Sequence, residues 1–283
     1  MRPIETSLPS ARVVPWVFAY TADHGVTPLG GDYPATQQLV VDLMQSWDPD
    51  LYLFGGDNAY NSGTADEVDE AWAPWAAEIE DELVYAVMGN HDLDTADGAA
   101  TSAFFSYWPH NTRYYVIERG PCAFVMINSG YNTAGTIVEK DGIGEDSTQW
   151  AYLKEELSRT KAKFKIAILH HPPYTSASNY TPGKTTWRLP WSEYGIDLVL
   201  SGHAHNYEHL SVDEVPHIIC GTGGAALVGF AATPLTQSIT RINSYYGALK
   251  ITAHADNLQI SFRDTNDDEQ DFLEIKKPSH PAR

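Results

Sequence analysis

The sequence predicts an α/β protein: a four-layer α/β/β/α sandwich in which two mixed sheets pack together and carry helices on their outer faces. Three observations predict it. The first ninety residues alternate apolar, strand-like runs with helical ones, and a β-α-β-α-β order calls for parallel strands joined by right-handed crossovers. From Tyr114 a second strand-rich half follows, opening on a hairpin and holding its own helix. Five apolar runs also end in side chains of the metal-binding type, which puts a site at the edge where open α/β sheets take their ligands.

Trp16-Val17-Phe18-Ala19-Tyr20 forms the first strand and leads to Asp23. Residues 34–47 space Leu39, Leu43 and Trp47 along one helix face, with Pro34 suited to the first turn. Leu51-Tyr52-Leu53-Phe54 is the second strand and leads to Asp57. Residues 65–81 read as an acidic helix that Pro74 bends or divides. Leu83-Val84-Tyr85-Ala86-Val87 leads to Gly89-Asn90-His91-Asp92. Tyr114–Ile117 and Cys122–Ile127 flank a Gly-Pro turn as a hairpin. Ser147 opens a helix over 147–159, with Trp150, Leu153 and Leu157 on one face. Ile166–Leu169 leads to His170-His171, and Asp197–Leu200 to Gly202-His203-Ala204-His205. Later strands are expected at 215–220, 246–252, 258–263 and 271–275. Residues 1–12 read as an N-terminal extension, 13–276 as a single domain and 277–283 as a frayed tail.

A chain of 283 residues, 43% of them hydrophobic, can bury a large core. No apolar run reaches the roughly 20 residues needed to cross a bilayer, so no membrane partner is expected. The N-terminus Met1-Arg2-Pro3-Ile4-Glu5-Thr6 lacks the apolar stretch of a signal peptide; a cytoplasmic protein, or a secreted form with its leader removed, is expected. Two cysteines, Cys122 and Cys220, exclude a disulfide-rich scaffold and read as small buried thiols. A net charge of -19 argues against nucleic-acid binding, which needs a basic surface. An anionic substrate must therefore be held by local positive charge, such as metal ions. The oligomeric state is not encoded in any feature of the sequence.

Asp57, Asn90, His170 and His203 supply a carboxylate, an amide oxygen and two imidazoles, while Asp23, Tyr60 and His205 form a second donor group. Thiolates are missing from both, which favours iron, manganese or zinc over softer ions. Asp57 stands between the two groups in sequence, and a carboxylate can bridge two ions. Two ions about 3.5–4 Å apart can activate a water and neutralise phosphoryl oxygens.

Together, Asp23-x-Gly25, Gly56-Asp57, Gly89-Asn90-His91-Asp92, His170 and Gly202-His203-x-His205 resemble the calcineurin-type metallophosphoesterase signature, and within it most closely the purple acid phosphatases. Gly25 replaces a histidine ligand of most relatives, and Tyr60 stands where purple acid phosphatases supply a tyrosinate. The resemblance implies the metallophosphoesterase fold and a binuclear hydrolase of phosphate monoesters. It assigns Asp23, Tyr60 and His205 to trivalent iron, with Asp57 bridging and catalytic. It assigns Asn90, His170 and His203 to a divalent iron, zinc or manganese ion. His170 is preferred over His171 because the family ligand lies two residues before the first proline, here Pro172. His91 resembles the histidine that contacts phosphate and protonates the leaving group while metal-activated hydroxide attacks, and Asp92 reads as an orienting residue. The expected partner is a small phosphorylated substrate. A phosphodiesterase or cyclic-nucleotide phosphodiesterase is the enzymatic alternative, and an inactive scaffold the non-enzymatic one. His24 and His209 read as ordinary loop residues, and Gly221–Gly224 as a turn over the site. Phe104, Phe105, Tyr107, Trp108, Tyr174, Tyr180 and Trp187 are candidates for an aromatic rim.

Overall fold

The computed structural model describes residues 15–25, 33–94 and 112–277. Strands β1 (Trp16–Thr21), β2 (Leu51–Phe54) and β3 (Val84–Ala86) run parallel, with Phe18 beside Leu51 and Leu53 beside Tyr85. Helix α1 (Tyr33–Ser46) precedes β2. Helix α2 (Ala65–Trp72), a 3-10 turn (Ala73–Trp75) and α3 (Ala76–Glu80) precede β3. Pro74 sits in that turn and divides the expected long helix, because its ring denies the backbone a donor. Thr64 and Glu67 close the start of α2 as a capping box.

The second half adds β4 (Tyr115–Arg119), β5 (Cys122–Ile127), α4 (Thr148–Arg159), β6 (Phe164–Leu169), β7 (Leu198–Ser201), β8 (Tyr207–Val212), β9 (Val215–Cys220) and β10 (Ser238–Ile242). The chain then returns to the first sheet as β11 (Gly247–Ala253), β12 (Asn257–Asp264) and β13 (Glu269–Lys276). The result is a six-stranded sheet ordered β13-β12-β11-β1-β2-β3 and a seven-stranded sheet ordered β10-β8-β9-β7-β6-β5-β4.

Strand alternation then builds four layers. Phe18 and Tyr20 of β1 point inward with Ile166 and Ile168 of β6, into one core between the sheets. Ala19 points outward, under Val40, Val41 and Met44 of α1, and Ala167 and Leu169 point outward under Trp150, Leu153 and Leu157 of α4. Each such buried side chain contributes about 1.5–3 kcal/mol relative to exposure. The expected sandwich is therefore the observed one. Cys122 and Cys220 are buried free thiols. Among the described residues no helix is long and apolar enough to cross a membrane.

Three features depart from expectation. Strands β8 and β10 were not anticipated, because Glu208, His209 and Ser211 interrupt the apolar pattern of β8, and β10 is a half-exposed edge strand. His209 is consequently a buried strand residue, 3.2 Å from Asp271, not part of a loop. Lys277, expected to begin a frayed tail, is held by Asp197 at 2.6 Å.

Candidate metal centre

All of the anticipated donors come together where strands of both sheets end. Asp23 follows β1, Asp57 follows β2, Asn90 follows β3, His170 follows β6, and His203 and His205 follow β7. Sharp turns aim them. Asp23 (φ 59°), Asp57 (φ 50°) and His203 (φ 66°) adopt left-handed backbone, which costs a non-glycine residue roughly 1–2 kcal/mol. Strain at three donor positions in one cluster is characteristic of functional sites.

Two donor groups result, Asp57-His170-His203 and Asp23-Asp57-His205, and each keeps its ligand atoms within 4.8 Å of one another. Asp57 belongs to both. Its Oδ2 lies 3.3 Å from His170 Nε2, and its Oδ1 accepts the His91 backbone N–H at 2.9 Å. Asn90 Oδ1 lies 3.0 Å from His170 Nε2. The Tyr60 hydroxyl reaches Asp23 Oδ1 and Asp57 Oδ2 at 3.2 Å each and His205 Nε2 at 3.3 Å. Gly25 makes this possible: a Cβ there would sit 2.6 Å from Tyr60 Cδ2. The exchange of a histidine at position 25 for the tyrosine at position 60 is thus also a steric one.

The histidines are oriented by the backbone. His170 Nδ1 donates to the Gly55 carbonyl at 2.9 Å, His205 Nδ1 to Ala226 at 3.0 Å and His91 Nδ1 to Asn61 at 2.5 Å. Because a carbonyl only accepts, each ring turns Nε2 toward the centre. His171 is instead tied to Ser129, 2.7 Å from Nδ1, which agrees with choosing His170. Among the described residues Asp92 bonds no histidine. It accepts the backbone N–H groups of Asn58, Ala59 and Gly89, and so locks the Asp57 and Asn90 loops together. Its orienting effect runs through the backbone. A Cβ on Gly89 would lie 2.1 Å from Asp57 Oδ1, so position 89 cannot carry a side chain.

The donor chemistry calls for cations. Burial favours a neutral Asp57, but the His170 charge opposes it and holds the carboxyl well below its usual range. Burial lowers His170, and the charge of Asp57 more than reverses this, lifting it to about 9. Burial and then the His170 charge hold His203 well below the ordinary imidazole range, so it offers a free lone pair. Burial and then the charges of Asp57 and Asp23 push the Tyr60 phenol far up. Only a strong positive charge at that oxygen would turn it into a tyrosinate, and a trivalent ion meets that need. Tyr60 has one hydrogen to share between the Asp23 and Asp57 carboxylates, a shortage that bound cations relieve.

The surroundings hold further corrections. Gly223 N–H and Ala225 N–H donate to the Ala22 and Asp23 carbonyls at 3.0 Å, so the glycine-rich turn does lie against the site. His24 is buried on Phe54 and Trp72, and burial pushes it down to about 4. Trp187 is no rim residue: it is fully buried beneath α4 with Trp150 and Trp191. Tyr174 is capped by the Arg188 guanidinium, 4.3 Å from its ring centre. Tyr180 does reach the site, with its ring 4.3 Å from that of His203. Phe104, Phe105, Tyr107 and Trp108 lie outside the described residues. Sequence reasoning missed Lys184, which shares a pocket with His203 and belongs to no motif that could have flagged it.

The chain belongs to the calcineurin-like phosphoesterase family, which it matches over residues 17–207. It is 27% identical to a purple acid phosphatase of Glycine max over 214 residues, 65% of this chain and 46% of that protein. The chain thus spans about half the length of the curated relatives it matches. Its fold is similar to purple acid phosphatase PPD1 from yellow lupin (Lupinus luteus) seeds, with a TM-score of 0.73 at 20% identity over 93% of this chain and 54% of that one. It is also similar to GAP50, the anchor in the inner membrane complex of Plasmodium, with a TM-score of 0.71 at 16% identity over 94% and 90%. At such identities the two structures speak for the fold alone.

Proposed function

We propose that this chain is a binuclear metal-dependent hydrolase of phosphate monoesters, acting on a small phosphorylated substrate. The observation that carries this reading is the pair of donor groups sharing Asp57, with His91 Nε2 directed at the same carboxylate from 4.0 Å. Asp23, Tyr60, His205 and Asp57 would hold trivalent iron, and Asn90, His170, His203 and Asp57 a divalent iron, zinc or manganese ion. Bound there, the two ions would activate water and neutralise phosphoryl oxygens.

The protein's own side chains supply the rest. His91 is partly exposed and fixed through Nδ1 to Asn61, so its Nε2 can meet the ester oxygen of a substrate entering from solvent. With Nδ1 carrying one hydrogen to the carbonyl, Nε2 carries a second only in the imidazolium form. That proton passes to the departing alcohol oxygen. Turnover therefore depends on that proton. Asp92 keeps the loops of Asp57 and Asn90 in register while this happens.

The likeness to GAP50 supports a scaffold as the second reading; against it stands a complete, strained and unbalanced donor set. One experiment separates the readings: kcat/KM of metal-loaded protein for an aryl monoester and the matching bis-aryl diester, from acid to alkaline pH. Preference for the monoester with an optimum below pH 7 is expected. Preference for the diester would favour the phosphodiesterase alternative, and no turnover of either the scaffold.

A further inference from the structure

Beside the metal centre lies a cavity of about 180 Å³, lined by Pro172, Asn179, Tyr180, Thr181, Lys184 and His203. It adjoins the site, since His203 is among its lining residues and the Tyr180 ring lies 4.3 Å from that of His203, tilted by 51°. Lys184 is among its lining residues, and the ammonium of that side chain sits 4.3 Å over the Tyr131 ring. Tyr131 is itself fixed, edge-on to His171 at 5.2 Å and with its hydroxyl 3.1 Å from Thr186. Among the described residues no carboxylate pairs with this ammonium. Arg113, Arg159, Arg263, Lys276 and Lys277, by contrast, each meet a carboxylate.

The loop that builds the cavity is held in place before any ligand arrives. Lys184 N–H donates to the Pro172 carbonyl at 2.9 Å, Gly183 N–H to Tyr180 at 2.8 Å, and Ser178 N–H to Gly229 at 3.0 Å. Beneath it the buried Glu208 carboxylate accepts Thr175 Oγ1 at 3.0 Å and Ser176 N–H at 2.7 Å. The volume suits a compact group rather than an extended chain, since one water takes about 30 Å³ of liquid. Lysine, asparagine and threonine among the lining residues favour an anion over an apolar group.

We propose that this cavity is a subsite for a second anionic group, so that the preferred substrates are phosphate monoesters bearing a carboxylate or another phosphate a few bonds from the scissile ester. The inference rests on the hydrolase reading above. Lys184 determines specificity: it binds the part of the substrate that does not react, with Asn179 and Thr181 as neutral hydrogen-bonding neighbours. The cation–π contact with Tyr131 holds the ammonium at the cavity wall without neutralising it.

The test compares two esters of one carbon skeleton, glycerol 3-phosphate and 3-phosphoglycerate, which differ by a hydroxymethyl group and a carboxylate. Their kcat/KM ratio is measured in the wild type, Lys184→Met and Lys184→Arg, with metal content determined for each. The wild type is expected to prefer the carboxylate. Lys184→Met should lower the ratio roughly tenfold, mostly through KM, as the loss of one charge-assisted hydrogen bond implies. Lys184→Arg should restore most of it. Turnover with a ratio unmoved by Lys184→Met overturns this inference alone. No turnover of either ester by the metal-loaded wild type overturns the hydrolase reading and this inference with it.

Discussion

Tyr207, His209 and Asp271 use the same three residue types as Tyr60, His205 and Asp23, yet the two clusters are wired in opposite ways. Where β8 and β10 meet β13, Asp271 receives Tyr207 Oη at 2.7 Å, His209 Nδ1 at 3.2 Å and Thr240 Oγ1 at 3.3 Å. One anion meets three donors, and the cluster is complete as it stands. In the centre the single Tyr60 hydrogen faces the carboxylates of both Asp23 and Asp57. Residue type therefore says little about metal binding. The balance of donors against lone pairs decides it, because buried acceptors that face one another need a cation between them.

The largest effect should come from removing the shared member. Asp57→Ala is expected to lose both ions and with them turnover, whereas Asn90→Ala and His203→Ala should each lose mainly the divalent ion; elemental analysis and kinetics check both. His91→Ala should keep both ions and lower turnover by roughly 10²–10⁴-fold, as expected for a lost general acid. A His91→Ala protein short of one ion would move that residue into the ligand set.

The placement of these donors was legible in the sequence because the site is made of strand ends. An apolar run fixes a strand, and the first polar residue beyond it lands at the sheet edge, so Asp23, Asp57, Asn90, His170 and His203 could be placed without coordinates. The core between the sheets was legible for the same reason. The outer cluster was not: Tyr207 and His209 meet Asp271 across 64 and 62 residues of sequence, and the polar pattern of β8 concealed the strand itself. Lys184 was silent because it belongs to no motif and only the fold brings it beside His203, and Trp187 was misread because an aromatic in a loop looks alike whether it packs inward or lines a rim.

A smaller, pH-dependent effect separates a buried histidine with no role at the centre from those that have one. Burial pushes His217 down to about 3, and among the described residues neither ring nitrogen has a partner. Below the ordinary histidine value the unfolded chain takes up a proton that the folded chain refuses. This stability is therefore complete above about pH 6.5 and lost as the pH falls toward 3. His217→Leu should flatten the acid limb of the stability curve by about 3 kcal/mol at pH 4, read from denaturant unfolding. The matched pair Tyr207→Phe and Tyr60→Phe sharpens the contrast further. Tyr207→Phe should cost about 1 kcal/mol of stability and leave metal content alone. Tyr60→Phe should change the metal site and abolish any visible charge-transfer band, and full colour in that variant would remove Tyr60 from the ligand set.

Metal stoichiometry tests the central claim most directly. Protein equilibrated with iron and zinc and then dialysed exhaustively should retain two ions per chain in the wild type and in Tyr207→Phe, and neither ion in Asp57→Ala. A wild-type chain that retains none, or that retains the same number as Asp57→Ala, would contradict the claim that the facing lone pairs around Asp57 form a binuclear centre.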